Sequence, residues 1–180
     1  MTESEFLHHC FIASARSEFR KIRGMAEKAL AQVGDDELYY RLNPSQNCIA
    51  VVMRHVAGNM RSRFTDFLTT DGEKPWRNRD QEFVEVRTSR DALVADWEDG
   101  WTRLFHTLSS LEPGDLVRTI TVRGEPMPAL EAFHRQMGHY GYHVAQIVLI
   151  AKHIRGEQWH TLTIPTGGTE GYHRSLGFTP

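Results

Sequence analysis

Four stretches of this chain carry apolar side chains at helical spacing, while convincing strand alternation is nearly absent. A helix returns to the same face every three or four positions, so such a stripe marks a helix with one side against a core. The first stretch runs from about Ser4 to Val33, with Phe6, Cys10, Ala13, Ile22, Met25, Ala29 and Val33 near that spacing. The second, Asn47 to Phe67, carries Ile49, Val52, Met53, Val56, Met60, Phe64 and Phe67; Asn43-Pro44-Ser45 introduces it, and Asn47 is the expected N-cap. The third begins near Ser89, with Asp91 in its first turn. It carries Leu93, Trp97, Trp101, Leu104, Leu108 and Leu111, and ends at Pro113-Gly114. The fourth starts at Pro128, whose fixed φ suits a first helical turn, and runs to about Ile154, ahead of Gly156. Its stripe centres on Phe133, Met137, Val144 and Ala151.

The connections are unequal. Gly34-Asp35-Asp36 closes the first helix and Asp71-Gly72 breaks the chain after the second. The segment from Glu73 to Val86 is too polar and too charged for core helix, and a connection of that length is more often functional than idle. Val117 to Val122 alternates enough for a short strand, and Arg123-Gly124-Glu125-Pro126 reads as a turn. The stretch from 159 to 180 is expected to be an irregular tail. The expectation is an all-α four-helix bundle forming one domain over residues 1–180. It has a long loop after the second helix and a short extended excursion before the fourth.

Composition narrows the function. Twenty-one basic and 23 acidic residues leave a net charge of -2, which offers no electrostatic footprint for nucleic acid. Arg16, Arg20, Lys21 and Arg23 cluster, but on a helix of mixed composition they read as a solvated face. The longest apolar run, Val144 to Ala151 interrupted by Gln146, falls far short of the ~20 residues of a membrane span. No basic-then-apolar signal precedes His8 and His9, and Cys10 and Cys48 read as reduced, buried thiols. A cytoplasmic protein acting on a small molecule, with no membrane or nucleic-acid partner, is expected.

Chemistry concentrates at His139-Tyr-Gly-Tyr-His143. Histidines four apart on a helix stand one above the other, with Cβ atoms roughly 6 Å apart, close enough to share one metal ion. Both lie, with Gln146, along an edge of the fourth stripe. His55 and Asn59 flank the second stripe in the same way, so His55 is the third candidate ligand. Three imidazoles leave open coordination positions, as catalytic rather than structural metals usually have. His134 and His106 point away from their stripes, and His8 and His9 face different directions. His153 is over two turns from His143, and His160 and His173 lie in the tail, so none of these is read as a ligand. There is no His-Glu-x-x-His, no phosphate loop and no Gly-x-Ser-x-Gly elbow.

These residues resemble the DinB-like (YfiT-like) superfamily of metal-binding four-helix bundles. Its mark is one histidine mid-way along the second helix and His-x-x-x-His in the fourth. A narrower resemblance, to a bacterial subfamily, covers nearly the whole chain. It rests on Arg54-His55-Val56-Ala57-Gly58-Asn59, on the run from Asp71 to Asp80, on His139 to Ile147, and on Trp159-x-x-Leu162-Thr163-Ile164-Pro165. The chain departs at Tyr172-His173, where relatives tend to have Phe-Asn, so no tail role is carried over.

The resemblance implies a divalent metal, Zn or Ni and alternatively Fe or Mn, on His55, His139 and His143. Characterised members of the superfamily include bacillithiol-using S-transferases and a mycothiol-dependent isomerase. By that likeness the chain would be a thiol S-transferase in detoxification or stress response, using a low-molecular-weight thiol. Asn59 and Gln146 are candidate catalytic or substrate contacts. Trp76, Arg77, Arg79 and Asp80 are candidates for a lid whose arginines read a carboxylate on the thiol. A metal-assisted hydrolase and a non-catalytic metal- or ligand-binding stress protein are the alternatives. A homodimer is expected too, from surplus aromatic surface at Trp97, Trp101 and Phe105 and from dimerisation in the superfamily.

Overall fold

The computed structural model describes residues 1–178. In chain order the elements are α1 (Glu3–Leu30), α2 (Ile49–Phe64), a four-residue helix α3 (Arg79–Glu82), α4 (Arg90–Ser110), a hairpin of β1 (Thr119–Val122) and β2 (Glu125–Pro128), α5 (Ala129–Arg155) and a short α6 (Thr169–Ser175). With 63% of residues helical and only this two-stranded sheet, the chain is mainly α. Among the described residues no helix is long and apolar enough to cross a membrane.

The four long helices share one core: α2 packs on α4 and α5, and α1 packs on α5 and α4. The start signals follow local chemistry. Thr2 and Glu5 form a capping box on α1, and the Ser89 hydroxyl accepts from the Ala92 amide at the start of α4. α2 is the most enclosed element, with every residue buried except Arg54, Arg61 and none other. It lies close to α4 because Gly100 has no side chain; a Cβ there would sit 3.2 Å from the Ala57 Cα.

Several expectations are corrected. The N-terminal half of α1 buries His8, Ala15 and Phe19 rather than Phe6, Cys10 and Ala13, which face solvent. At about 100° per residue the two sets lie on opposite faces, and Phe19 and Ala26 fix which one meets the core. Cys10 is therefore exposed; only Cys48 is buried. The cap of α2 is Cys48, not Asn47, and Pro128 is the N-cap of α5 rather than its first turn. The Glu73–Val86 connection contains α3, begun by the Asn78 side chain accepting from the Gln81 amide. The tail contains α6. Trp97 and Trp101 are filled core positions, at 1% and 0% exposure, so they supply no surplus surface for a partner.

The hairpin matters because of what it holds. Arg123 and Gly124 both have positive φ, 59° and 76°, the backbone of a tight two-residue hairpin turn. Asp71, just after α2, ties this turn down. Its carboxylate accepts from the amides of Arg123 (2.8 Å), Gly124 (2.8 Å) and Glu73 (2.7 Å). The long connection and the hairpin are thus joined beside the second and fifth helices.

Candidate functional site

His55 from α2 and His139 and His143 from α5 meet across the interface of those helices, each offering a nitrogen within 4.8 Å of the others. His139 Nε2 stands 3.1 Å from His143 Nε2 and 3.3 Å from His55 Nε2. Glu82 Oε2 lies 2.9 Å from His55 Nδ1, an acceptor for a proton on that nitrogen; the tautomer it favours turns the Nε2 lone pair toward the other two. His139 can donate one Nε2 proton to His55 or to His143, but not to both. At least one inward lone pair is then left without a donor, whereas a cation at the focus engages all three.

The ionisation of the rings agrees with that fit. Burial, then the neighbouring His143 and His55, then Arg77 and Arg63, pushes His139 down to about 3. Burial and His55 push His143 down to about 4, against the nearby Gln146 side chain, which favours the protonated ring. Both rings are neutral at pH 7, the form that ligates metal. Three imidazoles meeting at one point suit a divalent first-row ion such as zinc or nickel.

Glu82 is the functional residue that sequence reasoning missed. It sits 27 positions from His55, and no local spacing connects them. Burial works against its ionisation, but the Arg77 guanidinium, at 2.8 Å through both Nε and Nη2, and the His55 contact hold it below the usual carboxylate range. Gly58, one turn after His55 on α2, makes room for it. A Cβ at Gly58 would lie 2.3 Å from Glu82 Oε1 and 2.8 Å from its Cδ. That glycine inside a helix, unfavourable by ~1 kcal/mol against alanine, is the one sequence signal that something packs there.

A second carboxylate, Glu73, continues the network. It accepts from Arg63 at 3.1 Å and from Arg123 at 3.0 Å, and lies 3.5 Å from Arg77. Over the histidines opens a cavity of about 510 Å³. The expected residues reach it unevenly. Asn59 and Gln146 line it, and Asn59 Oδ1 is already engaged by the hydroxyl of the fully buried Tyr140 at 3.0 Å. Arg77 and Arg79 line it, but the Trp76 to Asp80 lid does not form as a unit. Trp76 is 60% exposed and Asp80 is exposed, and neither is on the wall. Arg77 is no free reader of a cofactor, because its side chain is 2% exposed and held by Glu82 and Glu73. Arg63, Arg123 and Arg135 complete a wall of five arginines that single-residue reading did not assemble. Past Asn47, Tyr142 and Gln146 the cleft adjoins a second hollow of about 350 Å³, lined in part by Leu42, Leu149 and Ile150.

The fold and site together describe a mainly helical protein with three converging histidines under an arginine-rich cleft. A family model described as "Protein of unknown function (DUF1572)" matches residues 7–168, and the chain belongs to this family, which lies in the DinB/YfiT-like superfamily. No curated protein matches the chain.

Proposed function

We propose that the chain is a divalent-metal-dependent enzyme acting on small molecules, built as a four-helix bundle of the DinB/YfiT type, with thiol S-transfer as the reaction. The observation that carries this reading is the convergence of His55, His139 and His143, three rings at the floor of an open cavity, with Glu82 behind His55. A carboxylate on the outer nitrogen of a ligating histidine fixes its tautomer and raises its basicity. A divalent ion there would supply Lewis acidity, lowering the pKa of a thiol or water.

The chain's own residues then divide the remaining work. The three rings come from two helices and leave the cavity side free. Gln146 and Asn59 present amides beside the rings, where they can orient a bound molecule. Arg63 and Arg77, fixed by Glu73 and Glu82, keep the wall positively charged. The same geometry serves metal-assisted hydrolysis, with which thiol transfer shares the nucleophile-generating step. Self-association as a homodimer rests on likeness to the superfamily alone, since the tryptophans are occupied in the core.

The test is metal content of untagged protein, followed by thiol cofactors offered with electrophilic substrates. His139→Ala and His143→Ala should each lose stoichiometric zinc or nickel while keeping their helicity, and chelation should lower the Tm of the wild type. Unchanged metal stoichiometry and affinity in either variant would overturn the assignment.

A further inference from the structure

The five cavity arginines are not equivalent. Arg63 and Arg77 are buried and saturated by Glu73 and Glu82, and they belong to the scaffold. Arg123, 57% exposed, shares Glu73 with both of them. Among the described residues Arg79 pairs with the outlying Asp80 alone, at 3.9 Å, and is steadied over the Phe83 ring at 4.9 Å. Arg135, on α5 one turn before His139, meets no carboxylate among the described residues; its guanidinium touches only the Met127 sulfur at 3.6 Å. Among the described residues no aspartate or glutamate side chain lines the cavity. Two carboxylates behind the wall therefore face five guanidiniums on it.

A second observation points to the same place. Gln136, beside Arg135 on α5 and also on the cavity wall, is nine-tenths buried, and its side-chain oxygen has no partner among the described residues. A buried amide left open costs free energy unless something bound there completes it. Its two ends are interchangeable by rotation, so it can donate as readily as accept.

We propose that this cleft is an oxyanion-binding subsite: Arg135 and Arg79, with Arg123 and Gln136 beside them, hold a carboxylate or phosphate group of the small molecule that reaches the three histidines. Planar guanidiniums match such oxygens two at a time, and charge-assisted bonds of this kind are about twice as strong as neutral ones. The subsite takes its catalytic meaning from the metal-enzyme reading, but its arginines would bind the anion whether or not an ion sits below.

The experiment titrates inorganic phosphate and, separately, malonate into wild type, Arg135→Gln, Arg79→Gln and Arg20→Gln by calorimetry. Metal content is measured on the same samples, and His139→Ala is included. Both probes should bind wild type, about tenfold or more weakly to Arg135→Gln, several-fold more weakly to Arg79→Gln, and unchanged to the remote Arg20→Gln. Tighter binding of one probe identifies the oxyanion. Metal content should be unaltered in the arginine variants. Failure of both probes to bind wild type overturns the proposal. So does binding that survives Arg135→Gln and Arg79→Gln but disappears in His139→Ala, which would place the anion on the ion alone. Arginine-dependent binding in protein that takes up no metal supports the subsite and removes the metal reading instead.

Discussion

The two sides of the core are closed in opposite ways. Toward α1 and α4 the interior is sealed by rings: Phe19, Trp97, Trp101 and Tyr140 stack edge-on or tilted, with centroids 5.6 to 6.4 Å apart. Toward α2 and α5 it is held open by charge. The aromatic side leaves the indole N–H groups of Trp97 and Trp101 buried without partners among the described residues. On the polar side each inner carboxylate has several partners, Glu82 engaging Arg77 and His55, and Glu73 engaging Arg63, Arg77 and Arg123. The difference reflects magnitudes. An unmet indole donor costs ~1–3 kcal/mol, which dense ring packing can offset, whereas an unpaired buried charge costs far more. Tyr140 belongs to both sides, its ring among the aromatics and its hydroxyl on Asn59 at the cavity wall.

The comparison predicts that stability and metal binding separate. Trp101→Ala should have the largest effect on folding, ~3–5 kcal/mol in denaturant titration, because it empties a wholly enclosed site. A cost below ~1 kcal/mol would mean the aromatic side is not the closed region described.

Gly58→Ala sharpens the other half. The new methyl group must displace Glu82, removing the partner of His55 Nδ1. Metal affinity should fall about 10- to 100-fold. The metal-free protein should also lose some stability, because displacing Glu82 disturbs the pairing of the buried Arg77, a loss that alanine's helix propensity offsets in part. In a Glu82→Ala background the same substitution should have no further effect on affinity. Equal, additive losses in both backgrounds would show that Gly58 acts through something other than Glu82.

What could be read beforehand follows the same divide. The stripes of α2, α4 and α5 are periodic in the chain, and so is His139 to His143. His55 was found because it flanks its stripe as those two flank theirs. The polar wall was not legible, because its partners come from four elements. Glu82 lies on α3, Arg123 on a hairpin turn, Arg135 on α5 and Glu73 in a connection, and only the folded chain brings them together. The first half of α1 failed for a different reason. Two apolar sets, around Cys10 and around Phe19, each fit helical spacing, and periodicity alone cannot say which one meets the core.

The smallest effect is expected at Asp71, where the wall is tied to the hairpin. Partial burial opposes its ionisation, but three backbone amides, from Gly124, Glu73 and Arg123, hold its pKa well below the ordinary 3.8. A carboxyl whose folded value is depressed contributes stability that is fully present above its unfolded value and is lost as pH falls below it. Asp71→Asn keeps one acceptor oxygen but replaces the other with a donor that faces the Gly124 or Arg123 amide. At pH 7 the variant should melt lower by about 2–4 °C, the scale of ~1 kcal/mol in a chain of this size. That gap should narrow progressively as pH drops below about 4, because the unfolded chain then takes up the proton while the folded carboxylate still resists it. Thermal melts of the two proteins across that range decide the matter. A gap as wide at pH 2 as at pH 7 would show that the turn is held by packing, and that Arg123 owes its place on the charged wall to the hairpin alone.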